Sequence, residues 1–217
     1  MNDYLNKCVQ DSRMPNRVPV AYLHRYEKDT FQTLSATGKD ALPSSAKKYL
    51  NRAHNVRLRT STLAPKPIPP GVDAAKIQQS ENVGSILAQI VKIRLADLDI
   101  HIPTSDFDCR ISINIEVDLA NQLDIDTSLI VEPEENDHDG GSRSKNRVSY
   151  QHMAYSVDLT QVTLPSGEQS HELEIEVDPM VVRMQALRVQ DRQPNAFEAV
   201  VEGLLSNIIL LSRVRSG

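Results

Sequence analysis

Three glutamates stand at alternate positions in the run HELEIEVD, which begins at His171, and this pattern limits what the chain can fold into. Glu172, Glu174 and Glu176 are separated by a leucine and an isoleucine, and a valine follows the last of them. Alternate side chains of a β-strand point to opposite faces, so the carboxylates share one face and the apolar residues share the other. Neighbouring like charges repel one another. A stable fold therefore needs a divalent cation, basic side chains or both beside this strand.

The same alternation of polar and apolar residues recurs in five other segments, and the polar faces of these segments are rich in charge. The polar residues are Arg110, Ser112, Asn114, Glu116 and Asp118 in CRISINIEVDL, Lys92 and Arg94 in SILAQIVKIRL, Arg57 and Arg59 in NVRLRT, Arg143, Lys145, Arg147 and Ser149 in RSKNRVSY, and Asp158 and Thr160 in YSVDLTQV. The sequence therefore predicts six strands that each have a charged face.

Taken alone, each of these strands also fits a half-buried antiparallel sheet whose polar face meets water. The separation of an acidic strand from several basic ones instead favours a barrel with a charged, water-filled lumen. Such a lumen suits a highly charged anion bound together with a metal ion, because Arg and Lys hold phosphate oxygens and carboxylates hold hard divalent cations. With oxygen ligands, we expect Mg²⁺ or Mn²⁺ rather than Zn²⁺.

Length, charge and cysteine content are consistent with a single intracellular domain. The 217 residues carry a net charge of -5, so any basic site must be local rather than a property of the whole surface. The two cysteines form no CxxC pair, and no segment has the apolar length of a membrane span or a signal peptide. We expect a cytosolic or nuclear protein. The motifs GxxxxGK[ST], GxGxxG, HExxH and GxSxG are absent.

Along the chain, the first clear strand is expected from Val20 to Ser35, with Asp29 as a candidate lumen residue, and a short helix from Lys39 to Tyr49. Residues 62–82 and 132–142 read as loops, and the second is acidic enough for a metal site, although a solvated loop is favoured. Residues 179–213 read as a helical C-terminal part, because Asp178 and Pro179 form a helix start. The last helix would close the barrel floor or form a dimer contact, and we favour the first.

The segments FDCRISINIE, RSKNRVSY, VDLTQV and HELEIEV, in this order, resemble the fungal and protozoan metal-dependent mRNA 5'-triphosphatases, the beta subunits of mRNA-capping enzymes. The resemblance extends from about Leu5 to Val177 and implies an α+β, mostly antiparallel fold: a triphosphate tunnel barrel of eight strands with C-terminal helices. It implies hydrolysis of the gamma phosphate at a 5'-triphosphate RNA end in mRNA capping, in the nucleus. It also implies a homodimer and a guanylyltransferase partner.

The resemblance also implies roles for individual residues. Glu174 and Glu176 would bind the metal, with Glu172 on the same wall, and Glu116 would position the attacking water. Asp158 would orient the neighbouring basic side chains, and Arg110 joins Glu116, Asp158 and Glu172 among the catalytic candidates. The residues that would hold phosphate oxygens are Arg57, Arg59, Lys92, Arg94, Arg143, Lys145, Arg147 and Thr160.

The chain departs from the family pattern at its start. The family has a Glu-x-Glu pair on an early strand that completes the metal site, and no such pair precedes LNKCVQ in this sequence. We therefore expect weaker metal binding, an open edge in the barrel and impaired activity of the chain as written. Two alternatives stay open: a related tunnel enzyme acting on nucleoside triphosphates, tripolyphosphate or thiamine triphosphate, and a non-catalytic module that binds polyanions.

Overall fold

Eight antiparallel strands form one curved sheet in the computed structural model, which describes residues 1–50, 56–68, 82–103, 108–119, 130–131 and 141–214. The strands are β1 (Ala21–Leu34), β2 (Arg57–Leu63), β3 (Ile86–Ile100), β4 (Cys109–Asp118), β5 (Ile130–Val131), β6 (Arg143–His152), β7 (Tyr155–Thr163) and β8 (Gln169–Val177). Their order across the sheet is β4-β3-β2-β1-β6-β7-β8, and the short β5 pairs with the end of β1.

The expected fold class, mostly antiparallel strands followed by helices, is confirmed, and each predicted charged-faced segment is a strand. The open edge that we expected in the barrel is also seen. Within the described residues no hydrogen-bonded ladder joins β4 to β8, so the sheet is a half-barrel with these two strands at its edges. Its concave face carries the charged residues and is called the lumen face below.

The first hydrophobic core lies on the outer face of β1 to β4. Leu34, Leu58, Val91 and Ile93 are buried there beneath two short helices, α2 (Ala36–Ala41) and α3 (Ser44–Lys47). We predicted one helix in this region. The chain instead breaks between the two helices because Leu42 precedes a proline and has an extended conformation, with ψ of 151°.

The second core lies on the outer face of β6 to β8, where α1 (Asn2–Ser12) packs against the sheet. Leu5 and Val9 of this helix are buried with Tyr150. The Tyr150 hydroxyl lies within hydrogen-bonding distance of the side-chain oxygens of Asn2 and Asn6, the second at 2.9 Å, and its proton is shared between them. Burial raises the pKa of Tyr150 to about 12. The sequence had predicted no helix here.

The C-terminal part contains α4 (Pro179–Gln190) and α5 (Phe197–Ser212), close to the predicted range. The predicted start is confirmed: an Asp178 carboxylate oxygen accepts a hydrogen bond of 2.8 Å from the Met180 amide. Leu211 of α5 is buried in the second core, in agreement with the favoured packing role for this helix. No helix among the described residues is long and apolar enough to cross a membrane.

The two predicted loops are described only in part. Strand β2 continues to Leu63, so the first loop begins later than predicted, and residues 69–81 lie outside the described residues. Residues 132–140, which include the candidate acidic metal loop, also lie outside them. Gly167, with φ of +85°, makes the tight turn before β8 and donates its amide to the Leu164 carbonyl over 2.9 Å.

A register shift divides the pair formed by β3 and β4. Lys92 and Arg94 pair across the strands with Glu116 and Asn114, and the shift occurs between Arg94 and Ala96. One extra residue reverses which side chains of β3 face the lumen. As a result, Asp97 and Asp99, rather than Ala96 and Leu98, share a face with Arg94 in the outer part of the pair.

Candidate active site

A buried carboxylate stands at the centre of the lumen face. Strand pairing sets Asp29 of β1 beside Ser61 of β2 and Arg143 of β6. Asp29 is fully buried and accepts hydrogen bonds from the Ser61 hydroxyl at 2.7 Å and Arg143 Nε at 3.1 Å, and its carboxylate lies 2.6 Å from Lys145 Nζ. Burial alone would raise the pKa of Asp29, but the bonds from Lys145 and Ser61 outweigh it and hold the pKa below its usual value.

Lys145 and Arg143, both predicted phosphate ligands, are therefore engaged by the protein itself. Burial lowers the pKa of Lys145, Asp29 opposes this effect, and the neighbouring arginines add to it. Arg143 also lies 3.8 Å from a Glu172 oxygen, and its guanidinium lies 5.2 Å from the centre of the Phe31 ring. These contacts fix both cations in place before any ligand binds.

Arg147 links β6 to β7 and β8. Its guanidinium lies 3.1 Å from an Asp158 oxygen and 3.5 Å from a Glu174 oxygen, and Nε donates to Thr160 Oγ1 over 3.2 Å. The structure thus brings together four residues that the sequence had placed in one site. Because its partners lie to the side on β7 and β8, the guanidinium is oriented towards the acidic wall.

The three glutamates of β8 have unequal surroundings. Glu172 and Glu174 each lie within 4 Å of an arginine, whereas Glu176 forms no ion pair with any described residue. Glu176 as a whole residue is exposed, but the protein around its carboxylate displaces part of the water there. Desolvation raises its pKa, and the charges of Glu174, Glu116 and Asp158 raise it further, with only Lys92 opposing them. The site therefore has excess negative charge near Glu176.

The opposite wall comes from β3 and β4. Lys92 Nζ lies 3.0 Å from a Glu116 oxygen, and both side chains are partly exposed. The charge of Glu116 on β4 also raises the pKa of Glu176 on β8, so these two carboxylates repel each other across the lumen. Arg94 lies 3.8 Å from an Asp97 oxygen. Lys92 and Glu116, predicted to have separate roles, form a pair here.

Two further predicted cations lie on β2. Arg59 is paired with Phe31 of β1, and its buried Nε has no hydrogen-bond partner in the part of the chain that the structure describes. Arg57 lies next to it on the same face, opposite Thr33. A buried guanidinium N–H without an acceptor is unfavourable, so Arg59 has a donor available for an anion in the lumen.

Arg110 lies apart from the other candidates. It is opposite Asp99 in the outer part of the β3–β4 pair, where Nε donates to an Asp99 oxygen over 2.6 Å. Arg110 lies six positions before Glu116 along β4, which corresponds to about 20 Å. The Asp99 carboxylate raises the pKa of Arg110. Arg110 does line a cavity of about 750 Å³ together with Glu172 and Leu204, beside the edge of β8.

Two lumen residues on β1 received no functional role from the sequence. Glu27 is buried, lies 3.4 Å from Arg25 Nε and pairs across the strands with Lys145. Phe31 lies beneath the Arg143 guanidinium. Both alternate with Asp29 in RYEKDTF, so the period of two that marked Asp29 could also have identified them.

The donor set fits a hard divalent cation. The carboxylates available are Glu174 and Glu176, and the crowding of negative charge that raises the pKa of Glu176 is what a bound cation would relieve. Among the described residues, no three His, Cys, Asp or Glu side chains are grouped closely enough to hold a metal ion. The described part therefore offers two candidate metal ligands, the Glu174 and Glu176 carboxylates, beside cations suited to phosphate oxygens.

Comparison with known proteins gives a consistent family match. Residues 1–216 match the family described as mRNA capping enzyme, beta chain. The chain is 24% identical over 221 residues to the mRNA-capping enzyme subunit beta of Schizosaccharomyces pombe, covering 100% of this chain and 58% of that protein. It is 32% identical over 124 residues to the Candida albicans subunit, covering 56% of this chain and 23% of that protein.

Solved structures agree with these matches. The chain superposes on the S. pombe Pct1 RNA triphosphatase in complex with the Spt5 CTD with a TM-score of 0.68 and 27% identity, covering 99% of this chain and 67% of that one. A second structure of the S. pombe Pct1 RNA triphosphatase gives a TM-score of 0.64. The chain thus spans little more than half the length of the S. pombe subunit, and nearly all of its own residues superpose on the Pct1 RNA triphosphatase.

Proposed function

Because the chain belongs to the family of the mRNA capping enzyme beta chain, we propose that it hydrolyses the gamma phosphate from 5'-triphosphate RNA ends, the first step of mRNA capping. One observation carries the proposal: Arg147 is fixed by Asp158, Thr160 and Glu174 at the boundary between a basic wall and an acidic one. A triphosphate chain with a bound divalent cation has the complementary charge pattern, with negative oxygens for the basic wall and a positive ion for the acidic one.

The cations of the lumen face would hold the phosphate chain. Arg147 presents a guanidinium whose orientation is already set, so its entropy cost on binding is small. Arg59 has an unused buried N–H donor. Lys145, which is buried behind Asp29, would act through its charge rather than by direct contact. Together these groups would stabilise the negative charge that develops on the transferring phosphate.

Glu174 and Glu176 would hold the metal, and Mg²⁺ or Mn²⁺ is the proposed ion. When bound, such an ion supplies a Lewis acid that neutralises charge on the phosphate oxygens. Glu116 would accept a hydrogen bond from the attacking water, and Lys92, at 3.0 Å, would hold the Glu116 carboxylate in position. Asp158 would keep the Arg147 guanidinium in place during the reaction.

The proposed partners follow from the relatives. The substrate would be a 5'-triphosphate RNA end, and an mRNA guanylyltransferase would act on the product in the nucleus. The homodimer implied by the resemblance is a further proposal. The Pct1 RNA triphosphatase of S. pombe has been solved in complex with the Spt5 CTD, and a related peptide is a candidate ligand of this chain.

Phosphate release tests the proposal. Purified protein is incubated with Mn²⁺ and either 5'-triphosphate RNA, ATP or tripolyphosphate, and the inorganic phosphate formed is measured. We expect release from the RNA, and loss of that release in Glu176→Ala but not in Glu168→Ala, which changes an exposed turn residue. Faster turnover of ATP or tripolyphosphate would favour the alternative tunnel enzyme. Binding of tripolyphosphate without any turnover would favour the polyanion-binding module.

A further inference from the structure

Arg25 is a lumen cation to which the sequence patterns assigned no role. It lies on β1 two positions before Glu27 and four before Asp29, so the alternation along a strand places all three side chains on the lumen face. The pairing of β1 with β6 sets Arg25 directly opposite Arg147. The Arg25 side chain is 36% exposed, whereas that of Glu27 is only 6% exposed. A ligand in the lumen can therefore reach Arg25.

Arg25 has fewer protein partners than Arg147. Arg147 donates to Thr160 and lies within 4 Å of two carboxylates. Among the described residues, Arg25 lies within 4 Å of one carboxylate, with Nε 3.4 Å from Glu27 Oε1. This contact is not a hydrogen bond, because the buried Nε has no hydrogen-bond acceptor in the part of the chain that the structure describes. A further acceptor beside this guanidinium would therefore stabilise it.

The charges on the lumen side of β1 and β6 are unbalanced. Like charges directly opposite each other destabilise a sheet, and Arg25 and Arg147 form such a pair. Asp158 and Glu174 compensate Arg147 from β7 and β8. Across the two strands, however, the cations are Arg25, Arg143, Lys145 and Arg147, and the carboxylates are Glu27 and Asp29. An anion between Arg25 and Arg147 would supply negative charge where it is lacking.

We propose that Arg25 is a further phosphate-binding residue, which together with Arg147 binds one phosphoryl group of the triphosphate. The proposal rests on the proposed function, because it takes the same anion in the same lumen. Arg147 lies 3.5 Å from Glu174, a candidate metal ligand, so the group between the two arginines is the one next to the metal site. Glu27 approaches the Arg25 guanidinium at Nε, and the terminal nitrogens are the donors that remain for the phosphate.

Binding of a triphosphate that cannot be hydrolysed tests the contact. The probe is a 5'-triphosphate RNA in which a methylene group bridges the β and γ phosphorus atoms, titrated calorimetrically into the full chain with Mn²⁺. We expect Arg25→Gln to raise the dissociation constant about 10- to 100-fold. Lys28→Gln makes the same change of charge on the opposite, exposed face of β1 and should alter it far less.

Equal affinities of the wild type and Arg25→Gln would overturn the proposal, as would equal losses in Arg25→Gln and Lys28→Gln or no binding by the wild type. Arg25→Lys keeps a positive charge beside Glu27 and so tests the contact even if Arg25→Gln does not fold. It should still bind more weakly than the wild type, because an ammonium cannot form the two parallel hydrogen bonds of a guanidinium.

A double-mutant cycle tests whether the two arginines share one phosphoryl group. If they do, Arg25→Gln/Arg147→Gln should lose less affinity than the product of the two single losses. Losses that multiply would show that Arg25 and Arg147 bind separately and would overturn the shared contact. The result is distinct from the phosphate-release assay. A wild type that binds the probe but hydrolyses no RNA contradicts the proposed function, whereas an active wild type whose Arg25→Gln variant binds equally well contradicts the role of Arg25.

Discussion

Replacing Asp29 by alanine should destabilise this protein more than removal of any exposed carboxylate. Asp29 is fully buried, and its Oδ2 lies 2.6 Å from Lys145 Nζ. Among the described residues, no other carboxylate lies within 4 Å of Lys145. Breaking a buried ion pair by removing one member costs about 3–5 kcal/mol, since the other charge stays buried and unpaired. The lost hydrogen bond from Ser61 adds about 1 kcal/mol. We therefore expect the free energy of unfolding to fall by about 4–6 kcal/mol.

Urea unfolding at pH 7, followed by circular dichroism, measures this loss. The matched control is Asp97→Ala, which removes a partly exposed carboxylate from an ion pair and should change the free energy of unfolding far less. Lys145→Met is a second comparison. It should cost less than Asp29→Ala, because Arg143 and Ser61 still bind Asp29 after the lysine is gone. A loss below about 1 kcal/mol for Asp29→Ala would show that the buried cluster is not a stabilising element.

The same residue predicts a pH dependence. The pKa of Asp29 is lower in the folded chain than in the unfolded chain, so the unfolded state binds the proton first as the solution is acidified. The stability that Asp29 contributes is complete above its ordinary pKa and is lost as the pH falls through its lowered pKa. Asp29→Asn should remove this part of the acid sensitivity. Parallel slopes of the unfolding free energy against pH for both proteins below pH 4 would contradict the assignment.

Three further predictions concern separate regions. Glu176→Gln should lower Mn²⁺-dependent phosphate release at least about 100-fold. The same change should raise the melting temperature, because it removes a carboxylate crowded by like charges. A lower melting temperature would contradict this interpretation. Tyr150→Phe should lower the free energy of unfolding by about 1–2 kcal/mol in a urea titration, since its hydroxyl holds α1 to the sheet. Gly203→Ala should lower it by about 1–3 kcal/mol, because an added Cβ would lie 2.7 Å from Tyr155 Cζ beneath α5; unchanged stability would mean that α5 can shift freely.

The strands and their faces could be predicted from the sequence because they depend on a period of two residues. In β8 and β6 the charged residues alternate without interruption, and each lies on the predicted face. The start of α4 could also be predicted, since the Asp178 cap depends only on neighbouring residues. These features need only the residue order and the geometry of one strand or helix.

Other features depend on contacts between distant segments, which no local pattern reveals. Lys145 looked like an exposed phosphate ligand, yet it is buried because Asp29, 116 positions earlier, is placed beside it by strand pairing. Helix α1 has few apolar residues and gains its stability from packing against Tyr150. The half-barrel likewise depends on which strand edges meet. The roles of Glu116 and Arg110 in catalysis stay predictions.

The register shift in β3 has a consequence for how the β3–β4 pair tolerates insertions and deletions. Because side chains alternate with a period of two, deleting Asp97 would bring Leu98 to its place on the charged side and turn Asp99 away from that side. Deleting two residues would shorten the ribbon but preserve its sides. Length variation in this ribbon should therefore accumulate in steps of two residues, whereas odd changes would need a compensating bulge.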